Sequence, residues 1–588
     1  MQQQAKTADA PTASHPEESR AGGDWTSRAA LGFAAVGALS ALLFFYHLGA
    51  YGLWEPDESR YAEIAREMLA SGNFIVPHLN YVPYVEKPPL LYWLTALAMR
   101  LFGINEFAAR FDNALAALAG AIMTYGFARR VFDARRATLA GAILATSALY
   151  AVMAQVLTTD MLLTALTTAA VFALYLDWRE GGYWRWWAYL AMALAVLTKG
   201  PVGAALPIAI GMIFLWREGA LRGAIRRYSV IPGALLIAAI AGPWFIVMIF
   251  REPGYFDFYF IGEHFRRFFQ PGYSHQEPFY YFAPVLLGGL LPWTFVLPFA
   301  SWRDLEPNPA RRYCLIAATL IFVIFSLARA KLAPYILPAF PPLAVVLADG
   351  IATTIEKGQA RRLRWVGPLL GLAALTAVVV ALMAARFRAP YPMMVRPALY
   401  AAGFVFALGG IVCGGGFSLR RPSLGLCSLI ATGAAAIIVI GYGRLMAEPE
   451  RSYAALARTI ERLEPNARLV CYPRYIQSLP FYCRRRVIVV NGWTELTFGA
   501  EHSIDEHQYF FTGRRDLIGL WNDPRPAVFV IDRQAIPSLR QLFGPWREIA
   551  SDRKKIAIMR AAPDNSAGGP GAETRAARRP ENSINGSK

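Results

Sequence analysis

The stretch ALGFAAVGALSALLFFYHLGA, residues 30–50, runs without a break into YGLWEPDESRYAEIAREM, residues 51–68, and together they decide the architecture. An apolar run of about twenty residues is long enough to cross the hydrocarbon core of a bilayer. Directly behind it, Glu55, Asp57 and Glu58 follow Trp54 and set three carboxylates where a helix leaves the membrane. Charge at that depth is costly unless it is solvated or partnered. The cluster is therefore either a solvated helix boundary or a place of chemistry at the membrane surface.

Composition extends this reading to the whole chain. Of 588 residues, 55% are hydrophobic and 17% charged, against roughly 25% charged in soluble domains, and the mean hydropathy is +0.33. This is the composition of a polytopic α-helical membrane protein. The net charge of +18 would point to nucleic acid in a soluble protein. Here the excess is mostly Arg in short runs between apolar spans, which is an orientation signal, so no nucleic-acid partner is expected.

About thirteen apolar segments are candidates to cross the membrane, centred near residues 39, 118, 145, 169, 192, 210, 239, 290, 320, 342, 374, 406 and 435. Arg129, Arg130, Arg135 and Arg136 follow the second, Arg217, Arg222, Arg226 and Arg227 the sixth, and Arg303, Arg311 and Arg312 the eighth. Lys357, Arg361, Arg362 and Arg364 follow the tenth, and Arg420 and Arg421 the twelfth. All these loops fall on one side, which the positive-inside rule makes cytoplasmic together with the N-terminus. The segment PLLYWLTALAMRLFG, residues 89–103, is apolar but short, and reads as a juxtamembrane helix in the interface. A span there would turn every Arg cluster outward. With it in the interface, the loops carrying Asp57, Lys87, Asp160, Lys199, His264 and Lys331 share the outer face.

The organisation that follows is a polar, disordered tail at 1–27, a transmembrane domain at 28–446 with outer loops at 51–106 and 251–280, an outer α/β domain at 447–562 and a disordered tail at 563–588. In the α/β domain ARLVCYP, RRVIVVNG, PAVFVID and KKIAIMR read as strands and SYAALARTIERLE as a helix. Cys471 and Cys483 are the cysteines of that domain, and in an oxidising compartment they are expected to form a disulfide.

RYAEIAREMLASGNFIVPHLNYVPYVEKPPLLYW, followed by VLTTDML, LTKGPVG and KLAPYILPAFPPLA, resembles the bacterial lipid A aminoarabinose transferases. These belong to the polyprenyl-phosphate-dependent GT-C membrane glycosyltransferases related to protein O-mannosyltransferases. The resemblance implies a GT-C fold with an outer-face cavity under amphipathic juxtamembrane helices, in a bacterial inner membrane with the active site facing the periplasm. It implies transfer of 4-amino-4-deoxy-L-arabinose from undecaprenyl phosphate to a phosphate of lipid A, a change that confers resistance to polymyxin and cationic peptides. A hydroxyl acceptor, as in protein O-mannosyltransferases, is the alternative enzyme reading. A polyprenyl lipid transporter is the alternative of another class, although no internal repeat supports it.

Displacement at an anomeric carbon needs a nucleophile, a stabilised oxocarbenium-like transition state and a leaving phosphate whose charge is met. Asp57 matches the acidic residue of the family's first loop, as general base or as the carboxylate that orients acceptor and sugar, with Glu55 and Glu58 as alternates. Asp160 is the second catalytic candidate, against a plain N-terminal helix charge. Lys87 precedes two prolines that fix its backbone, and with Arg60, Lys199, Lys331 and Arg266 it is expected to meet phosphate, although snorkelling alone accounts for Lys199 and Lys331. Arg267 shares the Arg266 reading. Tyr61, Tyr84 and Tyr335 are candidate sugar and prenyl contacts. Glu86 and His264 form a two-residue candidate for a divalent metal, with no cofactor required for certain.

Overall fold

The computed structural model describes residues 17–266, 276–302, 308–384, 386 and 394–561. Residues 1–16 and 563–588, in the segments read as tails, lie outside the described residues, as do Ala562 at the end of the expected α/β domain, Arg267, Arg303 and the side chain of His264. The first helix, Glu17–Phe45, begins inside the segment expected to be a disordered tail.

Among the described residues, seven helices are long and apolar enough to cross a bilayer by length and composition, or eight if Ala134–Ala145 and Ala148–Ala154, bent by 65°, form one span. The expected count of about thirteen is not reached by that measure, for local reasons. Glu106–Val131 is 26 residues long but carries Arg110, Asp112 and Asn113 on its buried side. Trp184–Lys199 and Val202–Arg217 have 16 residues each. The segment near 290 is the short helix Phe282–Gly289 followed by a 3-10 turn at Trp293–Val296. The bent pair breaks where Thr146 and Ser147 turn their hydroxyls back to the carbonyls of Ala142 and Ile143, a bond that competes with the helix ladder.

Ion pairs gather the arginine loops at one end of the bundle. Arg136 pairs with Asp133, with Asp349 at 2.8 Å and with Glu356 at 2.6 Å, while Arg311 shares Asp349 and Arg312 meets Glu218 at 2.8 Å. Small residues elsewhere let helices approach closely. A Cβ built on Gly367 would sit 2.7 Å from the Gly410 carbonyl oxygen, so helices Val366–Ala384 and Arg396–Ser418 touch backbone to backbone.

At the other end, two helices lie under the C-terminal region. Asp57–Ser71 starts after Pro56 with Asp57 and Glu58 in its first turn, where the helix dipole favours them, and stops at Gly72 in the left-handed conformation. Leu90–Phe102 follows Pro88 and Pro89 and buries Leu91, Tyr92, Thr95, Ala96 and Met99 at helical spacing, leaving Leu97, Leu101 and Phe102 exposed. This is the two-faced pattern expected of an interfacial helix. Between them the hairpin of β1 (His78–Leu79) and β2 (Val82–Pro83) turns through Asn80 and Tyr81, both at positive φ.

The C-terminal region is a six-stranded sheet built from β3 (Arg468–Tyr472), β4 (Val487–Val490), β5 (Phe510–Phe511), β6 (Ala527–Asp532), β7 (Trp546–Ser551) and β8 (Lys555–Arg560), ordered β5-β4-β3-β6-β8-β7. The strands β3 to β6 pair in parallel, and β8 pairs antiparallel with β6 and β7. The expected helix is present as Ala454–Leu463. The expected disulfide is not formed: Cys471 and Cys483 are both free and buried. Cys471 sits in the central strand β3, while the Cys483 thiol donates to the Ala457 carbonyl 3.4 Å away, so both serve as small fillers of the same core.

This domain docks on the first loop through polar bonds. Asn80 donates to the Val487 carbonyl and accepts from the Val487 N–H, both at 2.9 Å, so its amide continues the backbone pairing of β4. Glu55 accepts from the N–H groups of Gln477 and Ser478 at 3.2 and 2.7 Å, and Glu106 pairs with Arg458.

Candidate active site

A cavity of about 930 Å³, counted out to its open mouth, lies at the end of the bundle opposite the arginine loops. Glu86, Lys87, Asp160, Lys199, Glu263 and Tyr335 supply its polar lining, and Leu163, Val202, Ile324 and Phe325 its apolar side. Five residues singled out from the sequence therefore share one wall: Glu86, Lys87, Asp160, Lys199 and Tyr335.

Each is brought there by a different element. Lys87 precedes Pro88, which holds its backbone; its ammonium donates to the Glu86 carbonyl at 3.0 Å and faces Glu263 at 3.8 Å. Asp160 is in the first turn of helix Thr159–Glu180, and Lys199 ends helix Trp184–Lys199. The two form an ion pair, and the Lys199 ammonium also lies 4.2 Å from the centre of the Tyr335 ring. From the sequence, Asp160 is a catalytic candidate and Lys199 a phosphate candidate, each on its own. In the structure the two stand as one ion pair on the cavity wall, because the two helix ends that carry them pack side by side.

Asp57 lies beside this cavity, outside its lining, and is joined to it through Arg60. Buried Arg60 reaches Asp57 at 3.5 Å, donates to the Tyr84 hydroxyl at 3.5 Å and makes its closest bond to Glu495. Tyr84 in turn donates to Glu86 at 2.8 Å. The Asp57 side chain keeps 48% of its surface exposed, the Arg60 side chain 8%. Tyr61, behind Arg60, stacks at a tilt on Tyr92 with ring centres 5.9 Å apart. Burial and neighbouring carboxylates push the Tyr61 and Tyr84 phenols well above their ordinary range, so both stay protonated donors. Burial likewise pushes the Glu495 carboxyl up, against the pull of Arg60.

The alternates to Asp57 are engaged elsewhere. Glu58 accepts two bonds of 2.8 Å from Arg110 and one of 3.0 Å each from the N–H groups of Trp54 and Leu157. Arg110 adds bonds to the carbonyls of Leu48, Tyr51 and Gly52. This closed clasp ties the end of the first helix to Glu106–Val131. Glu55 holds the C-terminal domain.

Two phosphate candidates sit apart from the cavity wall. Lys331 is buried and donates to the Glu277 carbonyl at 2.8 Å, and burial lowers its ammonium below its ordinary range. Arg266 is exposed at the end of the turn of π-helix Asp257–Arg266. For the metal candidate, the described residues contain no group of three His, Cys, Asp or Glu able to hold an ion, and Glu86 is bonded to Tyr84.

Sequence reasoning missed Glu263, Tyr259, Gln477 and Glu495. Glu263 opens EHFRRFFQ, beside residues that drew notice for their positive charge. Glu495 is 435 residues from Arg60 in the chain, so no local pattern could join them.

Residues 86–247 match the family model for dolichyl-phosphate-mannose-protein mannosyltransferase, and residues 456–560 that for the aminoarabinose transferase C-terminal domain. An undecaprenyl phosphate-alpha-4-amino-4-deoxy-L-arabinose arabinosyl transferase of Aeromonas salmonicida is 35% identical over 381 residues, covering 62% of this chain and 69% of the relative. Its counterpart in Shewanella sediminis is 30% identical over 495 residues, covering 80% and 87%. The crystal structure of ArnT from Cupriavidus metallidurans bound to undecaprenyl phosphate superposes with a TM-score of 0.79 at 28% identity, covering 92% of this chain and 99% of that one. An oligosaccharyltransferase of Archaeoglobus fulgidus, with a TM-score of 0.50 at 11% identity, shares the fold. The chain is a GT-C glycosyltransferase and belongs to the family of undecaprenyl phosphate-alpha-4-amino-4-deoxy-L-arabinose arabinosyl transferases.

Proposed function

We propose that this enzyme transfers 4-amino-4-deoxy-L-arabinose from undecaprenyl phosphate to phosphate groups of lipid A at the periplasmic face of the inner membrane, with residues 447–562 as a periplasmic domain. The observation that carries the reading is the cavity wall, which sets Lys87 and Lys199 beside an apolar side made by Leu163, Val202, Ile324 and Phe325. A polyprenyl phosphate has that division, a charged head on an apolar tail.

In the reaction, an oxygen of the acceptor phosphate attacks the anomeric carbon. The bond from that carbon to the carrier phosphate breaks, and undecaprenyl phosphate leaves with the bonding electrons. One phosphate linkage replaces another, and an ionised acceptor brings no proton to remove. Asp57, half exposed beside Arg60, then serves to orient the acceptor and to oppose the positive charge that develops on the ring. Lys87, and Lys199 held by Asp160, meet the charge of the leaving phosphate. Arg60, Tyr61, Tyr84 and Tyr335 frame the sugar. A cationic sugar on lipid A offsets phosphate charge, which weakens attraction of polymyxin and other cationic peptides.

The test is mass spectrometry of lipid A from an envelope that has an intact donor pathway but no aminoarabinose transferase of its own. Aminoarabinose on the phosphates with the wild type, and none with Asp57→Asn at equal membrane levels, is expected. An unmodified lipid A together with glycosylated hydroxyl acceptors would favour the mannosyltransferase-like reading, in which Asp57 must take a proton.

A further inference from the structure

We propose that the C-terminal domain completes the transfer site by supplying Glu495 as a positioning residue, which takes the closest hold on Arg60 and so keeps Asp57, 3.5 Å from the same guanidinium, from being drawn into a tight pair. The inference rests on the role of Asp57 proposed above and goes beyond it by giving the soluble domain a part in the chemistry.

Four observations carry it. Arg60 is 93% buried and has three polar partners on its two terminal nitrogens, of which Glu495 is much the closest; Asp57 and Tyr84 both stand off at 3.5 Å. Glu495 is itself fixed from behind, since the Gln477 amide donates to its other carboxylate oxygen. Gln477 is buried, and its own backbone N–H is bound by Glu55, so the support runs back into the same first loop. Arg60 leads through Tyr84 to Glu86 on the cavity wall, so the hub borders the space where reaction occurs.

A buried guanidinium takes a carboxylate wherever one is in reach. Asp57 is three residues before Arg60 on the same helix and is the nearest substitute. Without the Glu495 charge, Arg60 would close on Asp57 and tie up the carboxylate that the substrate requires. The free cost of that closure is small for binding, because neither Glu495 nor Gln477 lines the cavity. It is large for turnover, because it removes a charge needed in the transition state.

The test measures transfer by purified full-length enzyme from undecaprenyl phosphate-linked aminoarabinose to lipid A for Glu495→Gln, Glu495→Asp, Arg458→Ala and Asp57→Asn. Removing one preorganised charge should lower kcat about tenfold or more in Glu495→Gln, with the donor KM within about twofold of wild type. Glu495→Asp keeps the charge and should recover part of the loss. Arg458→Ala loosens domain docking at Glu106, away from Arg60, and should lower the melting temperature without a comparable fall in kcat. An inactive Asp57→Asn beside a Glu495→Gln within twofold of wild type would overturn the proposal and leave the transfer reading intact. A kcat loss in Glu495→Gln that Arg458→Ala reproduces at equal melting temperature would overturn it too, as a docking effect. An active Asp57→Asn would instead remove the reading on which it stands.

Discussion

Asp57 and Glu58 are adjacent in sequence and belong to two differently built regions. Glu58 faces inward to Arg110, where the guanidinium and the backbone N–H groups of Trp54 and Leu157 use both carboxylate oxygens, and the Glu58 side chain keeps 3% of its surface exposed. Asp57 faces the rim of the cavity, half exposed, with its one arginine shared by Glu495 and Tyr84. The contrast separates charge that holds the fold from charge that remains available to a ligand. The difference is whether the partners saturate the group, since both are carboxylates. The arginine end of the bundle repeats the first pattern: Arg136, Arg311 and Asp349 form a network among themselves.

The sharpest way to break this comparison is to open the clasp. Arg110→Met leaves Glu58 buried without its cation, and losing one partner of a buried pair costs about 3–5 kcal/mol. Little folded protein is expected in the membrane, measured as a melting transition in detergent. A stable, active Arg110→Met enzyme would show that the clasp is not structural. For the same reason Glu58→Gln is expected to lower stability.

Asp57→Asn should give the reverse result, an unchanged melting temperature with a fall in transfer rate on the order of 10²-fold or more. A variant that melts early would place Asp57 with Glu58 among the structural groups. The cavity cations come next. Lys87→Met should weaken use of the donor by roughly tenfold or more, as loss of a charge-assisted contact to phosphate. Lys199→Met removes a second such contact and also leaves Asp160 without its partner, so it should lower stability as well. Kinetics in which Lys87→Met changes kcat alone, with the donor KM untouched, would move that lysine away from the ground-state phosphate.

Much of this comparison could be read in the sequence, because topology acts on the sequence one loop at a time. The alternation of arginine clusters placed Lys87, Asp160 and Lys199 on one face, and the cavity gathers them. The strands ARLVCYP, RRVIVVNG, PAVFVID and KKIAIMR were visible as apolar runs, whereas β5 is two residues long and β7, WREIAS, is largely exposed and lacks such a run. What could not be read is pairing across loops. Nothing local says that Lys199 will find Asp160, that Lys331 will turn to a carbonyl, or that the soluble domain will cover the first-loop helix. Glu58 through Met68 are buried on that helix, by Arg110 of the helix Glu106–Val131 at its start as well as by the soluble domain.

The smallest effect concerns the joint between the two regions. Burial beneath Gln477 and Ser478 pushes the Glu55 carboxyl up from 4.5 to about 7, with the negative charge of Glu495 adding in the same direction and the two backbone N–H groups opposing. A carboxyl raised in the folded state binds its proton more tightly there than in the unfolded chain. Its contribution is therefore fully present below the unfolded value and is lost as pH rises through the folded one. Docking of the C-terminal domain should thus weaken between about pH 4.5 and about pH 7. Glu55→Gln, which is neutral throughout, should remove that slope while keeping the fold, so the wild-type and variant melting temperatures should diverge as pH rises. A constant difference across the range would mean that Glu55 stays ionised under the domain. The joint would then belong with the Glu58 clasp, as charge held fixed by its partners.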